Sequence, residues 1–110
     1  IEKGAVIRLN NIFFDSGKHD LLSESFAELD KLNDLLKSNK NIKIEIAGHT
    51  DSRGDKYLNK KISQDRAISV KIALIDLGID ENRLNAVGYG EDFPIAKDYS
   101  IYFRLCGREK

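Results

Sequence analysis

The chain is predicted to be an α+β two-layer sandwich, ordered β-α-β-α-β(-β), with helices packed on one face of a mixed sheet. Two amphipathic helical segments alternate with strand-like ones. The strand between them, Ile42-Lys43-Ile44-Glu45-Ile46, alternates apolar and charged residues without a fault. Strands separated by helices favour parallel neighbours joined by right-handed crossovers. A sheet buried on one face only explains the alternation, with three isoleucines inward and two charges outward.

Each element has its own warrant. Residues 5–14 begin as a strand, with Ile7 and Leu9 on one face and Arg8 and Asn10 on the other. The cluster Ile12, Phe13, Phe14 then leads into Asp15-Ser16-Gly17, a turn signal. From about Leu21 to Ser38, apolar residues recur three or four apart at Leu22, Phe26, Leu29, Leu32 and Leu36, which is helical spacing. Ser38-Asn39-Lys40-Asn41 breaks that helix. After the strand at 42–46, a loop rich in Gly, Asp and Ser runs through Gly54, where glycine lets the loop fold back. A second helix spans about Tyr57 to Leu77, with Leu58, Ile62, Val70, Ala73, Leu74 and Leu77 as its apolar stripe and Gly78 as its stop. Asn82 to Tyr89 reads as a strand ended by Gly90 and Pro94, and Ile101-Tyr102-Phe103-Arg104-Leu105 alternates as a candidate last strand.

At 110 residues the chain reads as a single domain, 1–110, able to bury roughly two-thirds of its unfolded surface without disulfides. Its single cysteine, Cys106, allows no internal disulfide. Apolar residues make up 41% and charged residues 33%, and the formal net charge is zero with the signs interleaved. Such a chain lacks the electrostatic footprint of a nucleic-acid binder, and Lys37, Lys40 and Lys43 read as a solvated face. No apolar run approaches the roughly 20 residues of a membrane span. The chain starts at Ile1 without a signal-peptide pattern, so it reads as a piece of something longer.

The chemistry concentrates in Gly48-His49-Thr50-Asp51 at a strand exit and in Arg66, fifteen residues after Asp51 on the next helix. A carboxylate and a guanidinium facing each other across a small pocket suit a zwitterionic ligand: the anion attracts an ammonium and the fork grips a carboxylate. On the helix, Asn59, Ile62, Ser63, Arg66 and Val70 fall along one side. Plainer readings stand beside this one. Arg66 pairs at the surface with Asp65, Glu45 or another neighbour, and Asp51 bonds to nearby backbone amides of its own turn. His49 and Asp51 do not make a metal site, since zinc needs three or four convergent ligands and the other histidine, His19, is distant in sequence. No placed nucleophile or second carboxylate completes a catalytic set, so no enzyme activity, metal or cofactor is expected. His49 reads as a structural hydrogen-bonding group, and Gly88-Tyr89-Gly90 as a strand end and turn rather than a nucleotide loop.

Taken together, Ile46-Ala47-Gly48-His49-Thr50-Asp51, Gly54, Asn59, Ile62-Ser63, Arg66-Ala67, Val70, Gly78, Arg83-Leu84, Gly88-Tyr89-Gly90-Glu91 and Pro94-Ile95 resemble the outer membrane protein A (OmpA)-like C-terminal domain. That family includes peptidoglycan-associated lipoproteins and the wall-binding part of flagellar motor protein B. The resemblance covers about residues 5–96, and the joined pattern is far more specific than any one of its pieces. It implies non-covalent binding of peptidoglycan through the diaminopimelate of the stem peptide, with Asp51 facing the ammonium and Arg66 holding the carboxylate. Phe14 and Asp15 match the loop after the first strand, and Thr50, Leu58 and Asn59 match the loop and helix start that complete the groove. It also implies a periplasmic location at the outer membrane, through a barrel or lipid anchor upstream of Ile1. The family closes with an Asn-Arg-Arg-Val strand that this sequence does not show, Gly107-Arg108-Glu109-Lys110 resembling its lead-in. Either residues 101–105 replace that strand or they are an insertion; their alternating apolar positions favour replacement. Two rival readings are a wall hydrolase using His49 and Asp51, which would release soluble muropeptides, and a protein-interaction module with a surface around Tyr99–Phe103.

Overall fold

Four strands and two helices form from these patterns. They are β1 (Val6–Leu9), α1 (Phe26–Ser38), β2 (Ile42–His49), α2 (Lys56–Asp76), β3 (Leu84–Gly90) and β4 (Ser100–Arg108). The computed structural model describes residues 6–9, 12, 14, 20–50, 52–92 and 100–108, with side chains at 12, 14, 20–50, 52–92 and 101–105. Asp15, His19, Asp51, Pro94, Ile95 and Tyr99, and the side chain of Cys106, lie outside the described residues.

The sheet order is β1-β4-β2-β3. β2 and β3 run parallel, as a helical crossover requires, while β4 is antiparallel to both β2 and β1. Residues 101–105 therefore lie within a central strand. Ile44 lies opposite Leu105 and Leu84, and Ile46 opposite Phe103 and Ala86, so one face of the sheet is apolar across three strands. Leu29, Leu32 and Leu36 of α1 and Ala67, Val70 and Leu74 of α2 pack on that face in one cluster. Ile101 and Phe103, which the rival surface includes, belong to this core, while Tyr99 lies outside the described residues.

Three local expectations need correction. The first helix starts at Phe26, not near Leu21; a 3-10 turn, Ser23–Ser25, precedes it, and Phe26 is 47% exposed rather than core. The third strand starts at Leu84 because Asp80 caps another 3-10 turn, Glu81–Arg83, by accepting from the Asn82 amide. Glu45 is not an outward solvated charge: it is 6% exposed. Its carboxylate accepts from the Tyr89 hydroxyl at 2.9 Å and pairs at 3.0 Å with Arg104, its cross-strand neighbour, so two long side chains cover it.

α2 ends as expected at Gly78, whose φ of +103° suits glycine. The Gly78 amide bonds to the Ile75 carbonyl and the Ile79 amide to the Leu74 carbonyl, a Schellman closure with Ile79 and Leu74 both in the core. At its other end, Asp55 caps α2 by accepting from the amides of Tyr57 and Leu58.

Candidate functional site

The parallel strands β2 and β3 end side by side, and α2 crosses directly over their carboxyl ends. Glycine makes this approach possible. A Cβ on Gly48 would collide with the Ser63 carbonyl, and one on Gly88 with the backbone of Gln64. The helix then binds the edge of β3 with two side chains. Gln64 accepts from the Gly88 amide at 2.6 Å and donates to the Ala86 carbonyl at 3.1 Å, so its amide mimics a neighbouring strand. Ser63 accepts from the Gly90 amide at 2.9 Å and donates to Lys60 O at 2.8 Å. These contacts occupy ladder groups that an edge strand would otherwise present.

That docking sets the positions of the expected site residues. Arg66 is 4% exposed, and its guanidinium carbon lies 4.7 Å from the centroid of the Phe14 ring, so the cation rests on an aromatic face. Of the surface partners considered for Arg66, Asp65 pairs with Lys61 and Glu45 with Arg104. Thr50 is buried, with its amide donating to the Gly90 carbonyl at 2.8 Å. Asn59 is buried and donates from Nδ2 to the Arg53 carbonyl at 2.7 Å, holding the loop that leads from β2 to α2. Leu58 is 63% exposed in the first turn of α2, so it is a surface residue and not part of the apolar stripe. Arg66 and Phe14 are thus brought into contact, Thr50 and Asn59 anchor the adjoining backbone, and Leu58 stands free at the helix start. Asp15 and Asp51 lie outside the described residues.

The sequence places Ser63 on the helix face and Arg83 in the family pattern but gives neither a partner, and it gives Gln64 none. A short polar pair on a helix that follows two Gly-bearing strand ends is a signal for Ser63 and Gln64. Arg83 lacked one, because its partners are backbone carbonyls distant in sequence. It donates from Nε to Ile42 O at 3.0 Å, and from Nη2 to Leu36 O at 2.7 Å and Asn39 O at 2.8 Å.

His49 closes β2 on the sheet face away from the helices. It stacks on Tyr89 with ring centroids 5.2 Å apart and meets the edge of Tyr102 at 5.3 Å. Burial lowers its pKa from the ordinary 6.5, while the nearby Glu45 carboxylate opposes that shift. The folded ring therefore resists a proton that the unfolded chain accepts. Stability from this group is full above about pH 6.5 and is lost as the pH falls from there toward the lower folded value. The urea midpoint should drop between about pH 7.5 and about pH 5, and His49→Phe, which keeps an aromatic ring, should flatten that drop. An equal drop in both proteins would assign the slope to other groups. Among the described residues, no three His, Cys, Asp or Glu side chains are grouped to hold a metal.

The domain is a two-layer α+β sandwich in which Arg66, buried on α2, meets the ring of Phe14. The chain belongs to the OmpA family, whose profile matches residues 13–101. It is 34% identical over 94% of its length to outer membrane porin F of Pseudomonas aeruginosa, and 38% identical over 79% of its length to the peptidoglycan-associated lipoprotein of Buchnera aphidicola. It spans 30% of the first relative and 50% of the second. Among solved structures, the peptidoglycan-associated lipoprotein of Burkholderia pseudomallei superposes with a TM-score of 0.73 at 28% identity, covering 86% of each chain. The periplasmic domain of Helicobacter pylori MotB gives 0.79 at 19% identity over 96% of this chain and 78% of its own, a likeness of fold.

Proposed function

We propose that residues 1–110 form one domain that binds peptidoglycan without turnover, through the diaminopimelate of its stem peptide. Its place would be the periplasmic side of the outer membrane, tethering a barrel or lipid-anchored segment to the wall. The observation that carries this reading is Arg66, a nearly buried guanidinium held against the Phe14 ring. A planar fork fixed in this way can grip a carboxylate in two parallel hydrogen bonds at little further entropy cost. In this reading Asp51 faces the ligand ammonium and Asp15 lines the same groove. Thr50 and Asn59 hold the loop, and the exposed Leu58 offers an apolar contact. Hydrogen bonds to charged groups contribute roughly 1.5–3 kcal/mol each, which gives micromolar-scale binding from a few of them. Many such domains on one polymer would add avidity.

The test is retention on purified insoluble peptidoglycan, with folding checked by circular dichroism. The unmodified protein should be retained, and Asp51→Ala and Arg66→Ala should lose retention while still folded. Arg66→Lys keeps the charge but not the fork, and should weaken binding by about tenfold or more. Equal retention of all four proteins would remove the charge pair from the ligand contact. Release of soluble fragments would replace binding with hydrolysis.

A further inference from the structure

The ends of β2 and β3 meet at a node that contains a histidine. His49, the last residue of β2, is buried on the sheet face away from the helices, between the stacked ring of Tyr89 and the ring of Tyr102. The pairing of β2 with β3 shifts register between Gly48 and His49, so His49 meets Gly90 at an irregularity of the ladder. Thr50 comes next, and its buried amide donates to the Gly90 carbonyl at 2.8 Å. The Gly90 amide donates in turn to the Ser63 hydroxyl at 2.9 Å, three residues before Arg66 on α2. His49 therefore adjoins the tie between the backbone that leads to Asp51 and the helix that carries Arg66.

The charges around the ring do not favour a proton there. Glu45, four residues back on the same face of β2, is the acid in reach, and it is already engaged. The Tyr89 hydroxyl donates to it at 2.9 Å, and the Arg104 guanidinium of β4 pairs with it at 3.0 Å. A proton on His49 would bring a second cation to a carboxylate that already has one. Tyr102 of β4 supplies a ring and no charge. On the helix side of Gly90, Lys60 of α2 is paired with Asp92 at 2.7 Å. Burial also strips the water that an imidazolium needs, and it lowers the pKa accordingly. A protonated ring regains that water by leaving the aromatic slot, and Thr50 moves with it.

We propose that His49 is a proton-operated latch on the wall-binding site. The neutral ring keeps the Thr50–Gly90 tie closed; the protonated ring loosens it, so the grip on a diamino acid at Asp51 and Arg66 weakens in mild acid. This rests on the proposed function for its ligand and adds a control to it.

The test is calorimetry with a diaminopimelate-containing tripeptide at about pH 7.5 and about pH 5.5, with circular dichroism confirming the fold at both. The Kd should rise severalfold in acid, and by less than about tenfold. An imidazole at the ordinary 6.5 is about ten-elevenths protonated at pH 5.5, and a lowered one less so. His49→Phe and His49→Gln, which cannot take up that proton, should bind with nearly the same Kd at both pH values. His19→Gln, at the chain's other histidine, should keep the slope of the unmodified protein. Ring titration by nuclear magnetic resonance gives the reciprocal readout: the tripeptide should lower the His49 midpoint, because a ligand that prefers the neutral state holds the proton off. A histidine with a structural role alone would titrate alike with and without ligand. A flat Kd in the unmodified protein, a slope that survives in both His49 variants, or an unmoved midpoint overturns the latch and leaves the stem reading intact. Failure of the tripeptide to bind at about pH 7.5 removes the stem reading instead, and the amide shifts of Ser63 and Arg66 then decide for the latch. Movement at the His49 midpoint supports it, and silence there overturns it.

Discussion

Arg83→Ala is expected to lower the free energy of unfolding by about 3–4 kcal/mol, a large share of the roughly 5–15 kcal/mol that holds a domain together. One guanidinium serves three carbonyls: Leu36 in the last turn of α1, Asn39 just after it, and Ile42 at the start of β2. It is 8% exposed, so water does not readily replace it. Truncation removes three charge-assisted bonds where the chain turns from helix into sheet, and of the three acceptors the Asn39 carbonyl keeps the Ile42 amide at 3.2 Å. Arg83→Lys should recover only part of the loss, since a single ammonium cannot copy the fork. Urea titration at constant m-value would measure both. A loss below about 1 kcal/mol for the alanine variant would mean that the carbonyls find other donors.

Gly88→Ala should cost about 3 kcal/mol, read as a fall of roughly 12 °C in Tm. The added Cβ would sit against the Gln64 amide nitrogen and only 2.5 Å from the Gln64 Cα, which is helix backbone and cannot swing aside. Relief requires α2 to lift from β3. That would break both bonds of the Gln64 side chain and displace Arg66, which lies about half a turn further along α2. The variant should therefore lose wall retention as well as stability. A Tm within about 3 °C of the unmodified protein would show that helix and sheet separate easily here.

The layers of this fold were readable because single patterns specify them. The flawless alternation at 42–46 and the helical spacing of Leu29, Leu32 and Leu36 lead directly to one core. The first helix was misjudged at its start because Leu22 and Phe26 fit the period but have no sheet to cover. Glu45 was misjudged because its partners, Tyr89 and Arg104, arrive from strands distant in sequence. At the site, the sequence pointed to Arg66 through its spacing from Asp51 and to Phe14 through the family resemblance, but not to the contact between the guanidinium and the ring. Contacts made by tertiary docking, such as Gln64 on the β3 edge, leave no periodic trace.

The sheet order also governs how the molecule comes into being. β4 is last in the chain yet stands between β1 and β2, and Val6 meets Arg104 in register. Among the described strands β1 pairs with β4 alone, so its place in the sheet waits until residues 100–108 are made. Closing so long a loop delays assembly, because its entropy is lost before the contacts that repay it form. A nascent chain that lacks residues 100–108 has a divided sheet and an incomplete core. Removing those residues would excise the middle of the sheet, even though they sit near the end of the sequence.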